Sequence, residues 1–69
     1  MSIYELRIAW SVYATVADPD VRETFEAASE DAAQQFMESR ARELPPRAGV
    51  WLFAEGGEWS IASTSGSAR

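Results

Sequence analysis

Histidine and cysteine are missing from this chain, and so are lysine and asparagine. Without histidine the commonest general base, the commonest metal ligand and the physiological pH switch are lost together. Without cysteine no disulfide or thiolate-bound metal can stabilise the fold, and the chain is compatible with a reducing compartment. Ser11, Ser39, Ser60, Ser63, Ser65 and Ser67 offer hydroxyls, but there is no histidine, cysteine or lysine to activate them. A nucleophilic enzyme needs such a partner, so the expected class is non-enzymatic, with no cofactor and no metal. No run approaches the roughly 20 apolar residues that span a bilayer, and the opening MSIYELRIAW lacks a basic leader ahead of an apolar core. These absences lead to the expectation of a soluble, unprocessed, cytoplasmic protein that does not engage membranes.

What is present is an acidic, arginine-only charge set. Eleven Asp and Glu face six basic residues, all Arg, for a net charge of −5. That balance disfavours a phosphate-backbone binder, whose affinity comes from clustered cations, and no direct nucleic-acid binding is expected. At 69 residues there is room for one domain, expected over 1–64 with a flexible tail at 65–69. A chain this short buries only about 60% of its unfolded surface, so it either packs tightly or finds a partner.

Three segments carry periodicity. IYELRIAWSVYATV, residues 3–16, places Tyr4, Leu6, Ile8, Trp10, Val12, Ala14 and Val16 on even positions, the period of a half-buried strand. ADPD at 17–20 reads as a turn, and VRETFEAAS as a strand folding back, with Val16 opposite Val21, Val12 opposite Phe25 and Trp10 opposite Ala27. In that register residues 3–8 overhang the hairpin as an unpaired edge. Ser29 is an N-cap, Glu30 and Asp31 favour the first turn of a helix, and Pro45-Pro46 stops it after about Glu43. Its inner face carries Ala33, Phe36, Met37, Arg40, Ala41 and Leu44, and Glu38 and Arg42 are spaced as an outer pair.

GVWLFAEGGEWSIAS, residues 49–63, reads as a hairpin about Gly56-Gly57, with Leu52 opposite Ile61 and Ala54 opposite Trp59. The predicted order is ββαββ: a two-layer α+β fold, one four-stranded antiparallel sheet with a helix on one face. Trp10, Phe25, Phe36, Leu52 and Ile61 are the expected core. Trp51 and Phe53 fall on the other face, which raises the question of what that face is for.

Each candidate chemical site has a plainer account. Asp18 and Asp20 flank a proline, far from the alternating ligands of a calcium loop. Gly56-Gly57 has neither the lysine nor the following helix of a phosphate loop. Trp51, Phe53 and Tyr13 suit base stacking, but only Arg7 and Arg22 accompany them, among Glu5, Glu26, Glu55 and Glu58. Two readings of this face remain: it is simply half exposed, shielded by Pro45, Pro46 or the tail, or it is a partner-binding patch of Ile3, Tyr13, Trp51, Phe53 and Ala62, with Ala9 beside them, rimmed by charge. Its expected occupant is a protein partner or a second copy, the overhanging edge pairing across a two-fold in a homodimer. The alternative is an acidic inhibitor that mimics nucleic acid, using the carboxylates at 18, 20, 23, 26, 30, 31 and 38 to block a nucleic-acid-binding protein.

The stretch FEAASEDAAQQF, through Phe25, Ala27, Ser29, Glu30, Asp31, Ala32, Ala33 and Phe36, resembles an element of small uncharacterised accessory proteins of actinobacteriophages and their hosts. The missing Lys and Asn, set against abundant Ala, Arg, Gly and Glu, fit the same high-GC source. What the resemblance implies is a modulator of a phage or host protein with no catalytic residues.

Overall fold

The computed structural model describes residues 2–67. Four strands and one helix follow in the predicted order: β1 (Ser2–Ala9), β2 (Val21–Ala27), α1 (Glu30–Arg42), β3 (Gly49–Ala54) and β4 (Ser60–Ser65). The strands form one antiparallel sheet in the order β2-β1-β3-β4, an α+β ββαββ architecture with α1 packed on one face.

α1 begins where its capping chemistry puts it. Ser29 is extended, and its hydroxyl accepts a hydrogen bond from the Ala32 N–H at 3.2 Å. Glu30 and Asp31 sit in the first turn and Arg40 and Arg42 in the last, each on the end of the helix dipole that suits it. The predicted Glu38–Arg42 pair does not form among the described residues; Arg40 is the arginine engaged. It donates through Nε and Nη2 to both carboxylate oxygens of Glu23 on β2, at 3.0 and 3.1 Å, and through Nη1 to Glu43 at 2.8 Å. The hydrogen bond with Glu23 raises the Arg40 pKa further above its already high ordinary value.

β1 is a central strand of eight residues, not a strand of fourteen. Val21 lies opposite Ile8 rather than Val16, and Phe25 opposite Tyr4 rather than Val12, a displacement of eight residues. The other edge of β1 pairs with β3, from Tyr4 opposite Ala54 to Ala9 opposite Gly49. No overhang remains for a second copy to pair with, because the retreat of β2 toward the start of β1 lets one strand satisfy two ladders. The displacement is even, so the predicted facing survives: Tyr4, Leu6 and Ile8 are buried beneath the helix.

The second hairpin keeps the expected register beside its turn, with Phe53 opposite Ser60, and shifts by one residue from Leu52 onward, where the facing changes. The turn centres on Glu55 and Gly56, closed by the Gly57 N–H donating to the Ala54 carbonyl at 2.9 Å. Gly56 takes φ 70°, the left-handed region that glycine enters without strain. Leu52 pairs with Ala62, Phe53 with Ser60, and Ile61 is the extra residue of a bulge. Ala62 therefore packs against the helix-side core, and Ile61 is exposed. The core is Leu6, Ile8, Val50 and Leu52 from the sheet, with Ala33, Met37 and Ala41 from α1. Of the five expected core residues, Leu52 is fully buried and Phe25 partly so; Trp10, Phe36 and Ile61 are exposed. Phe36 still stacks on Phe25, ring centroids 4.1 Å apart, and Phe25 on Tyr4 at 6.0 Å.

Ordered chain extends past 64. The Gly66 N–H donates to the Ala48 carbonyl at 2.8 Å and the Ser67 N–H to the Ala41 carbonyl at 3.0 Å. A Cβ on Gly66 would lie 2.0 Å from the Pro45 carbonyl oxygen, so only glycine lets the chain pass so close to the end of α1. Backbone hydrogen bonds to the rest of the fold thus continue to Ser67; the rest of the expected tail, 68–69, lies outside the described residues.

Candidate partner-binding surface

The sheet face opposite α1 carries Ile3, Glu5, Arg7 and Ala9 from β1, Arg22, Thr24 and Glu26 from β2, and Trp51 and Phe53 from β3. Phe53 is not open there. Only 4% of it is exposed, because the Arg7 guanidinium lies 4.1 Å from its ring centroid. Trp51 is half-buried, its indole lying over Gly49, where an added Cβ would come within 2.7 Å of the ring. Arg7 also donates to Glu5 at 2.5 Å. The second face is thus largely closed by its own side chains.

Arg7 and Arg22 are cross-strand neighbours, two like charges side by side. Each turns outward to a backbone carbonyl of the β1–β2 connection, Arg7 to Val16 at 2.9 Å and Arg22 to Ala17 at 2.8 Å. At the other end of that connection, Asp20 Oδ2 accepts the N–H groups of Trp10 and Ser11 at 2.7 and 3.0 Å, and Oδ1 accepts the Ser11 hydroxyl at 3.1 Å. The backbone bonds from Ser11 and Trp10 hold the Asp20 carboxyl below the usual carboxylate range. Two turns lie between. The Ala14 N–H donates to the Ser11 carbonyl at 3.2 Å, and the Thr15 N–H to the Asp18 carbonyl at 3.1 Å. The Asp18 N–H bonds in turn to Thr15 Oγ1 at 3.0 Å, so the bonding carboxylate of this segment is Asp20 and not Asp18.

This loop, 10–20, presents apolar side chains to water on a fixed backbone. Val12 is 91% exposed, Tyr13 89% and Trp10 45%. With Leu44, Pro45 and Arg47 from the α1–β3 connection, Trp10, Ser11 and Val12 line a cleft of about 600 Å³. A second hollow of about 400 Å³ on the open face includes Glu5, Arg7, Thr24 and Phe53. Its Arg7 is already committed to Glu5, Val16 and Phe53.

The five residues expected to form one patch are dispersed. Ile3, Trp51 and Phe53 share the open face, Tyr13 stands on the loop, and Ala62 is on the helix side. Sequence reasoning missed the loop as a unit because WSVYATV alternates like a strand. No local signal marks it, since Asp20 takes the Trp10 and Ser11 amides only once the strand has stopped at Ala9. Among the described residues no group of three or more Asp or Glu is placed to hold a metal ion, and no helix is long and apolar enough to cross a membrane. No protein-family model, no curated protein and no solved structure matches the chain.

Proposed function

We propose that this chain is a non-enzymatic protein-interaction module whose partner docks on loop 10–16 and the adjoining cleft. The observation that carries the reading is the loop itself, where Trp10, Val12 and Tyr13 stand in solvent on a backbone tied down by Asp20, Arg7 and Arg22. Trp and Tyr are favoured anchors of protein interfaces, and a loop already ordered loses little conformational freedom on docking. The cleft beside it falls within the size range of ordinary binding pockets. The resemblance of residues 25–36 adds the context of a cytoplasmic accessory protein of a phage or high-GC bacterium. The acidic-inhibitor alternative is weakened by Asp20 and Glu23, two of its seven carboxylates, which are spent on the chain's own amides and on Arg40.

Selection of displayed peptides against the immobilised chain tests this. The expected result is enriched peptides that lose binding to a Val12→Asp, Tyr13→Ser variant and keep it to Trp51→Ser. Peptides that bind the loop variant as well as the parent would refute the surface, and failure to enrich any would refute the reading.

A further inference from the structure

The register places two unpartnered features at opposite ends of the sheet. At the end where Ala9 pairs with Gly49 lies the cleft of Trp10, Val12, Leu44 and Pro45, and its one charge is Arg47, exposed and without an ion pair among the described residues. At the far end, beyond the Tyr4–Ala54 pair, the β3–β4 connection lifts Trp59 into solvent, 82% exposed. Glu58 precedes it, likewise exposed and without an ion pair among the described residues. One end thus has an apolar hollow with a cation at its rim, the other an aromatic knob with an anion at its base.

We propose that the cleft receives Trp59 of a second copy of this chain, with Glu58 of that copy against Arg47. The inference rests on the interaction reading above and names the occupant. Within one molecule β3 lies between the two features, about 20 Å of strand at 3.3 Å per residue, so a chain cannot fill its own cleft. An indole removes about 150–250 Å² from water when it is covered, and the cleft offers this one an apolar seat with a matching charge at its rim. The contact joins unlike surfaces, and every copy carries one of each. Association therefore runs head to tail unless two antiparallel copies close it by exchanging both knobs.

Sedimentation of the full chain from about 10 µM to about 1 mM, where modest interfaces associate, is the experiment. The expected result is concentration-dependent self-association that weakens at least tenfold in Trp59→Ala, a variant that removes an exposed side chain and leaves the core alone. Arg47→Glu and Glu58→Arg should each weaken it, and mixing the two variants should restore it, because the exchanged charges then face each other. A chain monomeric throughout, or association indifferent to Trp59→Ala, would overturn the proposal. If the chain stays monomeric while displayed peptides still select on loop 10–16, the self-docking inference falls and the interaction reading stands.

Discussion

On one side of the sheet Leu6, Ile8, Val50 and Leu52 are covered by α1; on the other, Phe53 is covered by Arg7 and Gly49 by the Trp51 ring. The two solutions differ in what they ask of the chain. The helix side uses a whole element and excludes polar groups, leaving no buried side-chain polar atom unpartnered among the described residues. The open side uses single long side chains whose apolar stems and flat faces lie along the strands, with charges still reaching solvent and backbone carbonyls. A small domain can therefore dry most of a second face without a second layer, and four of the seven exposed large apolar residues among those described, Trp10, Val12, Tyr13 and Val16, stand instead on the loop at the sheet's end.

The comparison breaks most visibly on the helix side. Leu6 and Leu52 are cross-strand partners with no exposure. Leu6→Ala should cost about 2–5 kcal/mol, a large share of the 5–15 kcal/mol by which domains are stable. Phe36→Ala, which removes a half-exposed ring stacked on Phe25, should cost less, about 1–2 kcal/mol. Chemical denaturation of both variants checks the order, and a Phe36→Ala loss equal to that of Leu6→Ala would mean the ring is true core.

On the open side the sharpest probe is the smallest possible addition. Gly49→Ala sets a methyl 2.7 Å from the Trp51 ring, so the indole must shift. The expected cost is about 1–3 kcal/mol, the range for overpacking, with a change in tryptophan fluorescence as the ring moves off its seat. An unchanged spectrum and melting temperature would mean that the open face is looser than the helix side.

How much of this was legible follows from the same residues. The helix was readable because Ser29 and Pro45 act locally, as was the facing of β1, since an even displacement preserves it. The extent of β1 was not, because Trp10, Val12 and Val16 continue its alternation and nothing local says that Asp20 will take the Trp10 and Ser11 amides. Beside the EGGEW turn the expected register holds, with Phe53 opposite Ser60, but nothing local announces the bulge between Leu52 and Phe53, and that one-residue shift moved Ala62 inward and Ile61 outward. The burial of Phe53 depended on where Arg7 would reach from the next strand, a contact between segments 46 residues apart in sequence.

The smallest effect expected is also the most local, and it concerns the loop on which both proposals stand. Asp20 is fully exposed, yet its carboxyl is held below its ordinary value by the amides of Ser11 and Trp10. Because the folded pKa lies below the unfolded one, near 3.9, the stabilisation is fully present above that value and is lost as pH falls through the folded pKa. The melting-temperature difference between the parent and Asp20→Asn should therefore stay constant from about pH 8 to about pH 5 and narrow below about pH 4, since other carboxylates titrate alike in both chains. The amide proton shifts of Trp10 and Ser11 should report the same event, with a midpoint below about 3.9 in the parent and no such step in the variant. A difference that holds unchanged down to about pH 3, or a midpoint above about 4, would show that Asp20 does not clamp the end of β1. The loop would then present Trp10, Val12 and Tyr13 without the fixed backbone that the docking surface requires.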